Sequence, residues 1–153
     1  MSMRWMLAAV HLLALGIGLG SVWARARAFR GPFDTPGFKR LFEADAWWGI
    51  AALFWIATGL ARLFGGFEKG TNYYLSNHLF MAKMGLLVLI LLLELSPMIT
   101  LIRWRGQVKK GLTPDTSAAA RLATISVIQA LLVIAMVIAA TGMARGYGAP
   151  HLD

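Results

Sequence analysis

Cysteine is absent from this 153-residue chain. That removes disulfides, thiolate chemistry and cysteine metal sites, and it leaves the redox compartment unmarked. Acidic residues are scarce: seven Asp and Glu stand against fifteen Lys and Arg, for a formal net charge of +8. The chain carries no phosphate loop, HExxH, nucleophile triad or zinc spacing, so a hydrolase or kinase reading has no support. It also has no low-complexity tract and no internal repeat. In a soluble protein the positive charge would suggest nucleic acid. Here the basic residues sit beside apolar runs, so the expected partner is the anionic headgroup of the lipid bilayer, with no nucleic acid.

What the chain does have is hydrophobicity. Apolar residues make up 58% of it and the mean hydropathy is +0.64, against about 45–50% apolar in a soluble domain. The excess lies in four runs long enough to span about 30 Å of hydrocarbon. The expected spans are about 5–24, 45–63, 79–102 and 118–143. The fold class is therefore an all-α, four-helix transmembrane bundle, with residues 1–153 forming a single multi-pass domain. Pro97 is expected to kink the third helix. The connections are expected over Arg25–Ala46, Phe64–His78 and Arg103–Ser117, which carry Gly, Pro or charge. Ala24-Arg25-Ala26 has a small-x-small look, but the run before it is longer than a usual signal-peptide core. The first run is accordingly expected to stay as a span.

Orientation follows from Lys and Arg. The first connection holds Arg25, Arg27, Arg30, Lys39 and Arg40, and the third region holds Arg103, Arg105, Lys109, Lys110 and Arg121. Only Arg4, Arg62, Lys69 and Arg145 lie on the other side. Ten against four places both termini on the periplasmic side of a bacterial inner membrane. Trp23, Trp47, Trp48 and Trp104 should then mark the inner interface, and Trp5, Tyr73 and Tyr74 the outer one. Trp55 falls mid-membrane and reads as packing.

Ionisable groups inside the spans are the functional lead, because a cation at the centre of a span costs about 2.5–3.5 kcal/mol. His11 lies about 9 Å of helix below Trp5, and Lys83 about 7.5 Å below His78. Helical periodicity places Arg4, His11, Leu15, Gly18 and Arg25 on one stripe, and Lys83, Leu87, Ile90 and Glu94 on another. If those stripes face each other, the bundle has two polar storeys. In the inner one, Arg25 or Arg27 pairs with Glu94, with Asp45 as a competing acceptor. In the outer one, His11 and Lys83 share a level. Lys83 can snorkel outward or pair with Glu68. Alternatively, His11 as a metal or haem ligand and Lys83 can bracket a flat cofactor. Arg62 and Lys69 would then meet haem propionates.

Three weaker patterns remain. His78, Met81 and Met84 are spaced three apart; thioethers suit Cu(I), and Met is also ordinary core filler. Gly16-Ile-Gly-Leu-Gly20 contains a small-xxx-small pattern that allows a neighbouring helix to approach, as does the Ala-rich fourth span. Gln129 reads as an interhelical hydrogen bonder.

With these residues in view, the chain resembles a bacterial family of four-helix membrane proteins of unknown function. The resemblance runs over nearly the whole chain. It rests on His11-Leu-Leu-Ala-Leu-Gly-Ile-Gly, Ala44-Asp-Ala-Trp-Trp-Gly49, Phe67-Glu-Lys-Gly-Thr-Asn-Tyr-Tyr-Leu75 and His78-Leu-Phe-Met-Ala-Lys83. Glu94-Leu-Ser-Pro97, Ile102-Arg-Trp-Arg105 and Met143-Ala-Arg-Gly146 add to it. More distantly, the chain is similar to HemJ-type protoporphyrinogen oxidase and to CopD-type membrane domains. The HemJ resemblance implies haem b, with His11 and Lys83 as the catalytic and cofactor-binding pair by order and placement. Its reaction would oxidise a porphyrinogen or quinol within the membrane. HemJ-like chains carry an aromatic and a His just before that Lys, whereas His78 here is five residues upstream. The alternative is a non-enzymatic membrane protein: an accessory subunit of a larger membrane complex, a homo-oligomer, or a metal-handling protein.

Overall fold

The computed structural model describes residues 2–65 and 77–148. Four helices account for most of them: α1 (Met3–Ala28), α2 (Thr35–Phe64), α3 (His78–Lys109) and α4 (Ala119–Ala144). No strand occurs among the described residues. Each helix is long and apolar enough to cross a membrane, so the all-α four-helix bundle expected from hydropathy is the fold. Its polarity is that of a membrane protein. Leu13, Leu53, Phe54, Leu92, Ile102 and Ile138 point outward and are exposed, while Arg25, Ser126 and Gln129 are fully buried.

α1 packs along α2 and also against α4, and α4 packs against α3. α4 is the most buried helix. Its interior positions, Ala119, Leu122, Ala123, Ser126, Gln129, Ala130, Val133 and Met136, recur at spacings of three and four, which is one helical face. Many of them are small, and small side chains let neighbouring backbones approach. On α1 the same role falls to Gly18, where an added Cβ would sit 3.4 Å from Ala51 Cβ and 3.7 Å from the Trp48 ring. Gly16 and Gly20, the pair expected to receive a helix, have nothing within 4 Å of a Cβ position and face outward.

The connections at the basic end are shorter than hydropathy suggests. α1 runs on to Ala28, α2 begins at Thr35 and α3 continues to Lys109. Hydropathy marks where hydrocarbon ends, whereas a helix ends where its backbone groups find other partners. At α2 that partner is Asp34, whose side chain accepts from the Gly37 N–H at 2.8 Å, with Pro36 in the first turn. Gly37 has no room for a side chain, since a Cβ there would run into the Pro32 carbonyl oxygen. α3 starts at Asn77, whose Oδ1 accepts from Leu79 N at 2.9 Å and Phe80 N at 3.3 Å. The α3 helix passes unbroken through Pro97, which is buried. In the third connection, the Ser117 N–H donates to Asp115 Oδ1 at 3.0 Å, which holds that exposed carboxyl below its usual range.

The helix extensions close the basic end with an apolar plug of Phe29, Phe38, Leu41, Leu101, Trp104 and Leu122. Trp104 is 3% exposed and takes edge-on contacts from Phe29, Phe33 and Phe38 at 6.1–6.3 Å. It is therefore a core residue and not the interface marker expected. Trp48 is buried as well, while Trp5, Trp23 and Trp47 are exposed. At the opposite end, His78 N donates to the Gly148 carbonyl at 3.0 Å, tying the start of α3 to the segment after α4.

Candidate functional site

Every helix contributes to one polar cluster around Arg25. An arginine side chain offers five N–H donors in a planar fork, and each finds an acceptor here. Nε donates to Ser126 Oγ at 3.1 Å. Nη1 donates to Asp45 Oδ1 at 2.9 Å and to Glu94 Oε1 at 2.8 Å. Nη2 donates to Glu94 Oε2 at 2.9 Å and to Gln129 Oε1 at 2.7 Å. The Arg25–Glu94 pair is thus bidentate, the strongest form of this interaction.

The acceptors are in turn held. Trp48 Nε1 donates to Glu94 Oε2 at 3.1 Å, and Gln129 Nε2 donates to the same oxygen at 2.8 Å and to the Ile90 carbonyl at 3.2 Å. Arg105 Nη2 donates to Asp45 Oδ2 and to the Phe42 carbonyl, both at 2.9 Å. The Arg25 guanidinium also lies 5.8 Å from the Trp48 ring centroid. Two arginines and two carboxylates make the cluster charge-neutral. Arg25 is completely buried, and Asp45 and Glu94 retain about a fifth of their side-chain exposure. The inner storey read from the sequence is therefore present, with Arg25 as its centre and Asp45 as a second acceptor alongside Glu94. Gln129 bridges helices as expected. Sequence reading missed Ser126, Trp48 and Arg105. The signals were there: Ser126 and Gln129 are three apart on α4, and Asp45 and Trp48 three apart on α2, so each pair shares a face.

The second polar site centres on His11, which is 8% exposed. Its Nδ1 lies 2.8 Å from Thr58 Oγ1. That hydroxyl donates to the Phe54 carbonyl at 2.7 Å, so its lone pair accepts the Nδ1–H and the basic nitrogen is Nε2. The imidazole stacks on Trp55 at 5.6 Å between centroids, and its Cε1 lies 3.3 Å from a Cβ position at Gly59. Thr58, Trp55 and Gly59 are all on α2, and that helix, not α3, takes His11 Nδ1 and one ring face. The cue for this was Trp55-x-x-Thr58, a ring and a hydroxyl on one face at the depth of His11.

Lys83 is half-buried on α3, and Arg62 is half-buried one turn beyond Thr58 on α2. Lys69 and Glu68 lie outside the described residues. So do Tyr73 and Tyr74. Met81 is well exposed and His78 is exposed. Among the described residues, no three His, Asp or Glu side chains gather as a metal-ligand set. No curated protein and no solved structure matches the chain. A family of predicted membrane proteins does match, over residues 3–148, and the protein belongs to that family, described as Predicted membrane protein (DUF2214).

Proposed function

We propose that the protein is a non-enzymatic, multi-pass component of the bacterial inner membrane, an accessory subunit of a larger complex or homo-oligomer. The basic end faces the cytoplasm, by the excess of Lys and Arg there. The observation that carries this reading is the saturation of Arg25. All five of its donors, and the carboxylates they reach, are consumed in bonds that join the four helices. A cluster built this way holds architecture. The outward face of Gly16 and Gly20 is where a partner's helix would pack. Purification in mild detergent tests the reading. Stoichiometric co-purification of other membrane subunits, or a defined homo-oligomer, with a colourless protein is the expected result.

A second reading, haem b-binding and redox-active in the manner of HemJ-type protoporphyrinogen oxidase, is favoured by one observation. The Thr58 bond fixes the His11 tautomer so that Nε2 is the ligand atom, which is how iron- and zinc-bound imidazoles are oriented. The donor chemistry fits haem in that respect. His11 would then be the iron ligand, with Lys83 as second ligand or propionate partner and Arg62 and Lys69 as propionate partners. When bound, the haem would supply one-electron chemistry. A Soret band in the purified protein that disappears in His11→Ala would establish this reading and overturn the first.

A further inference from the structure

α3 is held unevenly along its length. α4 is the one helix it packs closely against. Its basic-end half is also fixed by side chains from the other helices. Glu94 is bound by Arg25, Gln129 and Trp48, and Arg105 binds Asp45 and the Phe42 carbonyl. Trp104 sits among Phe29, Phe33 and Phe38. Over 78–93, by contrast, the buried residues are Phe80 and Ile90, while Met81, Val88, Leu89, Leu91 and Leu92 are exposed. The two halves meet at a weak point. Pro97 supplies no N–H to the Leu93 carbonyl, so the helix ladder is one bond short beside Glu94. Regions with few buried apolar contacts are those that open first.

At the far end, opposite the basic one, α3 is tied to the segment that follows α4. There α4 closes in a paired turn. The Gly146 N–H donates to the Met143 carbonyl at 3.0 Å and the Tyr147 N–H to the Gly142 carbonyl at 3.1 Å, with Gly146 at φ 86°. That turn sends the chain across the start of α3. The Gly148 carbonyl accepts from the His78 N–H at 3.0 Å, and the Tyr147 carbonyl accepts from Asn77 Nδ2 at 3.3 Å. Asn77 is fully buried, and its Oδ1 takes the Leu79 and Phe80 N–H groups. One side chain therefore caps α3 and holds the tail of α4. The first three N–H groups of α3 are satisfied in this way, two by Asn77 and one by Gly148. Gly148 has a left-handed backbone at φ 79°, and a Cβ there would lie 2.8 Å from both Asn77 Oδ1 and Leu79 Cγ. Conformation and space both call for glycine at that position.

We propose that residues 145–148 are a latch on the far end of α3, and that α3 over 78–93 swings from α4 about the Glu94–Pro97 stretch when the latch opens. Lys83 lies on the swinging half and moves with it. The chain has no cysteine, so nitroxide labels on introduced cysteine pairs can follow the motion by electron–electron double resonance in the full-length chain in lipid nanodiscs. Met81→Cys with Ile138→Cys reads the far end, and Ile102→Cys with Thr124→Cys reads the basic end, all four sites being exposed. Gly148→Ala is expected to add a longer-distance population to the far pair and to leave the basic pair as it was. Asn77→Asp keeps an acceptor for the Leu79 and Phe80 N–H groups and loses the donor to Tyr147. It should raise the open population about fivefold, the weight of one hydrogen bond. A far-pair distance unchanged in Gly148→Ala would overturn the proposal. Lengthening at both pairs would overturn it too, because the tie would then support the whole fold and not the far half of α3. So would wild-type distances in Asn77→Asp, since the helix cap alone would then suffice.

Discussion

The Arg25 cluster and the His11 site are built from the same kinds of contact, yet they differ in charge and in reach. Arg25 gathers two carboxylates, an amide, a hydroxyl and an indole from the other three helices. His11 joins α1 to α2 through one hydrogen bond to the Thr58 hydroxyl and a ring stacked on Trp55. A buried charge must be compensated from several directions at once, so the cluster draws in all four helices. The imidazole Nδ1 needs only one partner, and α2 supplies it. The first site therefore ties all four helices together, and the Thr58 and Trp55 contacts of the second tie α1 to α2.

The largest test of that contrast is Arg25→Met. It leaves Asp45 and Glu94 short of their main cation and should cost about 3–5 kcal/mol, read from unfolding in detergent titrated with a denaturing surfactant. Adding Glu94→Leu to Arg25→Met should recover part of the loss, because the uncompensated carboxylate is gone. A double variant no better than the single one would mean that isolated charge is not the cause. Glu94→Gln should lose about 1.5–3 kcal/mol by the same measurement, since it weakens charge-assisted bonds and keeps the shape.

Gly18→Leu comes next. It forces a side chain onto Ala51 and Trp48 and should cost about 1–3 kcal/mol, whereas Gly16→Leu, facing open space, should stay within about 0.5 kcal/mol. Thr58→Val is the smallest expected effect, about 0.6 kcal/mol, as interhelical hydrogen bonds in membranes average. A Thr58→Val loss as large as that of Arg25→Met would erase the contrast between the two sites.

Much of the cluster could be read from residue order. Arg25, Glu94 and Gln129 are polar residues in apolar runs, and such residues must find one another. Asp45 was legible as a competitor because it sits at a span's edge. Trp48 and Trp104 were misplaced for a physical reason: an indole is amphipathic and suits either an interface or a hydrogen-bonded interior, and only neighbours decide which. Trp48 found Glu94, and Trp104 found three phenylalanines. Within the bundle, the glycine pattern likewise did not say which glycine meets a helix. A small residue permits close packing without requiring it: Gly18 packs on Ala51 and Trp48, whereas Gly16 and Gly20 face outward. His11 was legible as a polar group at a helix interface, but its partner helix depended on how α1 is rotated about its axis.

By itself the sequence determined the number of spans, their all-helical form and the end of the bundle that carries the positive charge. These follow from run length, hydropathy and charge counts, which are additive along the chain. The tertiary structure alone decided three further things. It turned His11 toward α2, it saturated the Arg25 fork from all four helices, and it packed α2 along α1 and not closely along α3. Each depends on helix rotation and on distances between side chains far apart in sequence. A few degrees of rotation moves a side chain from one neighbour to another, and no local pattern specifies that.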